Sequence, residues 1–155
     1  KEKKITTFKK TAMVTLNKNW NTGIDSNKKF LSRLMTYFIS LCIDNKKFDV
    51  VYEGRLSPSD FNEPDVVIYS GDIKTTPVVA IEISRESDLE QTFSTTKQLA
   101  VNSALEELFI FLPETNRWLQ YKRSEGTFVE VAYAEILSVP LYRFREWFSR
   151  NLSAA

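Results

Sequence analysis

A chain of 155 residues and 18.0 kDa, 43% hydrophobic and 26% charged, has the size and composition of one globular domain and argues against a disordered, collagen-like or disulfide-stapled architecture. The 21 basic and 20 acidic residues leave a formal charge of only +1, so bulk electrostatics do not mark a polyanion binder. The absence of histidine removes Ser-His-Asp triads, His-ligated zinc and His-metal nuclease chemistry together. Acid, base or metal chemistry must therefore rest on Asp, Glu, Lys, Tyr or Ser.

From the start, Lys1, Lys3, Lys4, Lys9 and Lys10 stand against one acid, Glu2, which leaves the rest of the chain slightly acidic. Residues 1–10 read as a basic arm, either contacting phosphates or solvated as a terminal tail. No run approaches the ~20 apolar residues of a membrane span, and the Lys-rich start lacks the apolar core of a signal peptide. The expectation is a soluble chain with no membrane partner. Cys42, the single cysteine, can form no internal disulfide, which suits a cytoplasmic location. No repeat, long linker or low-complexity tract divides the chain, so residues 1–155 are expected to form a single domain.

Phe30, Leu31, Leu34, Met35, Phe38, Ile39 and Cys42 recur at helical spacing, predicting an amphipathic helix over 27–43 capped by Asp25 or Ser26. A strand is predicted at Asp49–Leu56, then a polar loop at Ser57–Glu63. Strands Asp65–Tyr69 and Val78–Ser84 follow around a turn containing Gly71 and Pro77. Ser87 and Glu90 have the spacing of a capping box, opening a helix over Asp88–Ser103. Glu107–Leu112 and Arg117–Lys122 predict a second hairpin around Pro113-Glu114-Thr115-Asn116, with a strand at Phe128–Tyr133 beyond. Pro140 opens a closing helix with Leu141, Phe144, Trp147 and Phe148 on one side. The order α-β-β-β-α-β-β-β-α specifies a mixed α/β domain, a central sheet flanked by helices.

If the turn between Tyr69 and Val78 is symmetric, pairing runs through Ile68–Val79, Val67–Ala80 and Val66–Ile81 and sets Asp65 opposite Glu82. Such a pair has Cβ atoms roughly 4.5–5.5 Å apart, and like charges there repel unless neutralised. A hard divalent cation is the natural neutraliser, taking carboxylates, waters and phosphate oxygens. A slip of one residue would instead put the acids on opposite faces, and a solvated edge would need no ion. Glu82 lies within Val78-Val79-Ala80-Ile81-Glu82-Ile83, apolar on both faces, where an acid is costly without a partner. Lys97 follows Phe93 by four residues and precedes Ala104 by seven, so it is expected to face inward and either meet the acids or snorkel to the rim. Asp65, Glu82 and Lys97 in one pocket would make a metal-assisted hydrolytic site.

Pro64-Asp65 followed by Glu82-Ile83-Ser84 resembles the PD-(D/E)XK motif of the restriction-endonuclease-like nucleases, and the α-β-β-β-α-β order is similar to their core. Ser84 stands where the usual signature has lysine. Residues Pro64 to Pro113 look like one branch in particular, the putative restriction endonuclease domains of unknown function abundant in cyanobacteria. In that branch a serine follows the acid and the lysine sits on the next helix, about fourteen residues past the glutamate. Here Lys97 is fifteen past Glu82. The resemblance implies Asp65 and Glu82 as ligands of Mg²⁺ or Mn²⁺, the Ile83 carbonyl as a further metal ligand, and Lys97 as the displaced catalytic lysine. An additional acid could be Asp25, Asp44 or Glu53, of which Glu53 ranks first.

The function implied is divalent-metal-dependent phosphodiester hydrolysis of nucleic acid, in particular DNA endonuclease action. A homodimer would serve to cut both strands. A catalytically inactive nuclease-fold module binding nucleic acid or protein is the alternative, and two carboxylates could also serve a glycosidase. Arg143, Arg145 and Arg150 would contact phosphates or solvate the last helix.

Overall fold

The computed structural model describes residues 25–43, 47–56, 63–71, 76–144 and 146. The basic arm of residues 1–10 and the end of the closing helix lie outside them. Helix α1 (Asp25–Cys42) is followed by strands β1 (Phe48–Tyr52), β2 (Val66–Ser70) and β3 (Thr76–Ile83), helix α2 (Leu89–Asn102), and strands β4 (Glu107–Leu112), β5 (Arg117–Lys122) and β6 (Thr127–Glu130). Strands β1 to β6 form one mixed sheet in sequential order. Only β3 and β4 run parallel, joined by the α2 crossover; the other neighbours are antiparallel. Two-residue strands β7 (Tyr133–Ala134) and β8 (Val139–Pro140) pair separately.

The alternation of side chains along each strand divides the core in two. On one face the apolar stripe of α1 (Leu31, Leu34, Met35, Phe38, Ile39) packs with Val66, Ile68, Ile81, Phe109 and Phe111. The β7–β8 hairpin and Phe144 close this cluster, with the Phe144 ring centroid 4.8 Å from Phe38 and 5.1 Å from Trp118. Truncating fully buried Phe111 to Ala would cost about 3–5 kcal/mol here. On the other face Ala80 and Ala100 share a cluster with Leu105 and Leu108, and Leu89 and Phe93 of α2 pack with Ile110, Leu112 and Leu119. Phe93 stacks on Phe128 of β6 at 4.7 Å.

Several expectations require correction. Strand β1 ends at Tyr52 rather than Leu56, because Glu53 adopts φ 48°, a left-handed conformation that turns the chain. The β2–β3 turn is not symmetric, since a register shift after Ile68 pairs Tyr69 with Pro77. Ser87 caps nothing: Glu86–Asp88 form a 3₁₀ turn, and α2 starts at Leu89 with no side-chain cap. Glu86 is engaged elsewhere, accepting from Thr115 Oγ1 at 2.7 Å and from Arg117 at 3.4 Å. Pro140 does not open a helix but pairs with Tyr133, and helical residues begin at Tyr142. The far end of α2 is closed by Arg123, whose guanidinium donates to the carbonyls of Ala100, Ser103 and Leu105.

Candidate functional site

The pairing Val66↔Ile81, carried one step further, sets Asp65 beside Glu82 on the α2 face of the sheet. Both acids are buried, at 6% and 7% exposure. Val66 and Ile81 form the last backbone pair, and two residues further on Ile83 would match Pro64, which has no N–H to donate. The main-chain ladder therefore stops, and the Asp65 side chain continues it: its Oδ2 accepts the Ile83 N–H at 2.8 Å. The backbone carbonyl of Asp65 accepts the Glu53 N–H at 2.7 Å, which fixes the residue from the β1 side. In a strand the N–H and C=O of one residue point the same way, so the Ile83 carbonyl is directed to the side where Pro64 offers no donor. Proline before the aspartate thus places the two acidic residues and the Ile83 carbonyl together at the end of the β2–β3 ladder.

The loop after β1 covers this region closely. Gly54 lies against Val67 so tightly that a Cβ would stand 2.8 Å from the Val67 Cβ. Arg55 Nε donates to Glu63 at 2.6 Å, and its carbonyl accepts the Tyr69 hydroxyl. Burial, with Asp49 adding a smaller effect from the paired position on β1, raises the Tyr69 phenol above its ordinary value.

Lys97 does not face the acids. It is exposed, whereas the buried residues of α2 are Thr96, Leu99 and Ala100. Lys97 lies one turn after Phe93, on the flank that stacks toward β6, while Asp65 lies across β3 in the opposite direction. Its inward expectation followed the stripe Phe93–Ala100–Ala104, but the inner arc centres one residue earlier. The residue fourteen past Glu82 is Thr96, and it is fully buried.

Ser84, the residue after β3, is buried at 5% and bonds the Thr92 hydroxyl at 2.8 Å, tying the end of β3 to α2. Glu53 does not reach the pair: its carboxylate lies 4.0 Å from Lys29 of α1, which packs on the other sheet face. Asp44 lies outside the described residues, as does the side chain of Asp25. Among the described residues no group of three or more Cys, Asp or Glu is arranged to hold a metal ion. Asp65, Glu82 and the Ile83 carbonyl are all oxygen donors, a set that fits a hard divalent cation completing its shell with water. Arg143 is exposed; Arg145 and Arg150 lie outside the described residues.

Sequence reasoning missed Glu107, a buried acid at the start of β4. Its carboxylate accepts from Gln120 Nε2 at 3.2 Å and from the N–H groups of Glu135 and Ile136 at 2.9 and 3.2 Å. Desolvation by burial raises it above the ordinary glutamate value, opposed by those three donors. It anchors the β7–β8 hairpin, and no local pattern ties Glu107 to residues 135 and 136.

No protein-family model matches the chain, and no curated protein matches it significantly in sequence. Among the described residues no helix is long and apolar enough to cross a membrane.

Proposed function

We propose that this chain is a divalent-metal-dependent phosphodiesterase acting on nucleic acid, with DNA as its substrate class. The observation that carries the reading is the side-by-side burial of Asp65 and Glu82 at the end of the β2–β3 ladder, on an α-β-β-β-α-β framework. Two adjacent buried carboxylates offer oxygen ligands of the kind a hard divalent cation takes. Asp65 and Glu82, with the Ile83 carbonyl, would hold Mg²⁺ or Mn²⁺. Such an ion, when bound, stabilises charge on a phosphate and lowers the pKa of a bound water. Asp65 is oriented for this role by the Ile83 N–H, and both acids are buried on the sheet face that α2 packs against.

A second reading, a nuclease-fold module that binds without cutting, is favoured by two observations. Lys97 is exposed rather than buried beside the acids, and the Ser84 hydroxyl is engaged with Thr92. Incubating the purified chain with supercoiled plasmid and with labelled DNA and RNA, in Mg²⁺ or Mn²⁺ against EDTA, separates the readings. Cleavage that needs the ion and is lost in Glu82→Ala supports the enzyme. Metal binding without cleavage supports the module, and a chain that does neither overturns both.

A further inference from the structure

The Ser84–Thr92 hydroxyl bond fixes one contact of β3 with α2, and Ala80 and Ala100 share an apolar cluster four strand residues and eight helix residues away. These separations correspond to about 13 Å of strand and about 12 Å of helix, so strand and helix stay in step. Midway between these contacts stand Glu82 on the strand and Thr96 on the helix. Thr96 is 0% exposed, and its Oγ1 has no hydrogen-bond partner. A buried hydroxyl without a partner costs roughly 1–3 kcal/mol. It is shut off from bulk water, and the usual escape, a bond to the carbonyl one turn back, is not made. A partner therefore has to come from the interface between α2 and the sheet, the face that carries the acid pair.

We propose that Thr96 is a positioning residue of the cation site, its hydroxyl bonding a water of the ion held by Asp65 and Glu82. This rests on the cation-binding reading above and deepens it: the third side chain of the site is a neutral hydroxyl, not a lysine. The consequence is a carboxylate–hydroxyl site that retains the hydrated ion without placing a fixed positive charge beside the phosphate.

Mn²⁺ binding to the full chain, measured by calorimetry and by electron paramagnetic resonance, tests the assignment with Thr96→Val, Thr96→Ser and Lys97→Met. Thr96→Val keeps the shape and removes the hydroxyl, so it is expected to weaken Mn²⁺ binding about 5–10-fold, the scale of one hydrogen bond. The thermal midpoint without metal should stay the same or rise. Thr96→Ser should restore binding, and Lys97→Met should leave it within about twofold. Wild-type binding with Thr96→Val equally tight overturns the role of Thr96 alone. A wild-type chain that binds no Mn²⁺ overturns the cation reading and this assignment together. If Thr96→Val fails to fold, the folded Thr96→Ser protein carries the test, and its failure to bind Mn²⁺ near wild-type affinity counts against the assignment.

Discussion

Substituting Asp65 separates its part in the ladder from its part as an anion. Asp65 Oδ2 takes the Ile83 N–H at 2.8 Å in a buried setting. Asp65→Ala strands that N–H, and an unsatisfied buried donor costs about 1–3 kcal/mol. For a chain of this length about 2 kcal/mol lowers the thermal midpoint by roughly 4–8 °C. Asp65→Asn keeps an acceptor oxygen for Ile83 and removes one of two adjacent negative charges, so its midpoint without metal should equal or exceed wild type. With Mn²⁺ the order reverses. At a metal concentration a hundredfold above Kd the wild type gains about 2.7 kcal/mol, again several degrees, whereas Asp65→Asn should gain little. Differential scanning calorimetry of the three proteins, with and without Mn²⁺, reads all of these values. Asp65→Asn as destabilised as Asp65→Ala in metal-free buffer would refute the ladder role, and Asp65→Asn keeping the full metal-induced shift would refute the role in holding the ion.

Three further outcomes follow from the same geometry. Lys97→Met should change stability by less than about 0.5 kcal/mol and leave any cleavage rate intact, because the side chain projects into solvent; a large rate loss in a plasmid-nicking assay would restore it to the site. Glu107 has its folded-state value raised, so it keeps its proton to higher pH than the unfolded chain does. Wild-type stability should therefore fall as pH rises from the ordinary glutamate range through the folded value. Glu107→Gln should flatten that segment in urea titrations, and an unchanged slope would show that another group is responsible. Gly54→Ala forces a Cβ against Val67 and should cost about 1–3 kcal/mol by chemical denaturation; a neutral effect would mean that the loop over β2 yields easily.

The parts of the fold legible in the sequence are those whose pattern is local. Strands β4 and β5 match their predicted bounds because an apolar run and an alternating run flank an unambiguous turn. The pairing of Asp65 with Glu82 was reached through an incorrect turn: the irregularity at Tyr69–Pro77 lies above Ile68–Val79 and leaves the lower ladder in the expected register. Ser87-Asp88-Leu89-Glu90 failed because a tertiary contact, Thr115 and Arg117 on Glu86, competes with the helix start and holds it as a 3₁₀ turn. The apolar stripe gives the wrong phase for α2 because its most buried residue is a threonine, which such a stripe does not count. Glu107 was invisible for a different reason, since its partners lie 28 and 29 residues downstream in a hairpin too short to carry a pattern.

The clamp of Arg123 on α2 also bears on how the chain comes off the ribosome. The carbonyls it donates to belong to residues 18 to 23 positions earlier, so the carboxyl end of the crossover helix is completed only after the β5–β6 turn has been synthesised. A nascent chain halted at Leu112 can pair β4 with β3 yet lacks the donor for the carbonyls of Ala100, Ser103 and Leu105. Arrest before and after residue 123, followed by limited proteolysis, should therefore find α2 open to cleavage in the shorter chain and protected in the longer one. Vectorial synthesis thereby makes closure of the crossover a late event, set by a single guanidinium.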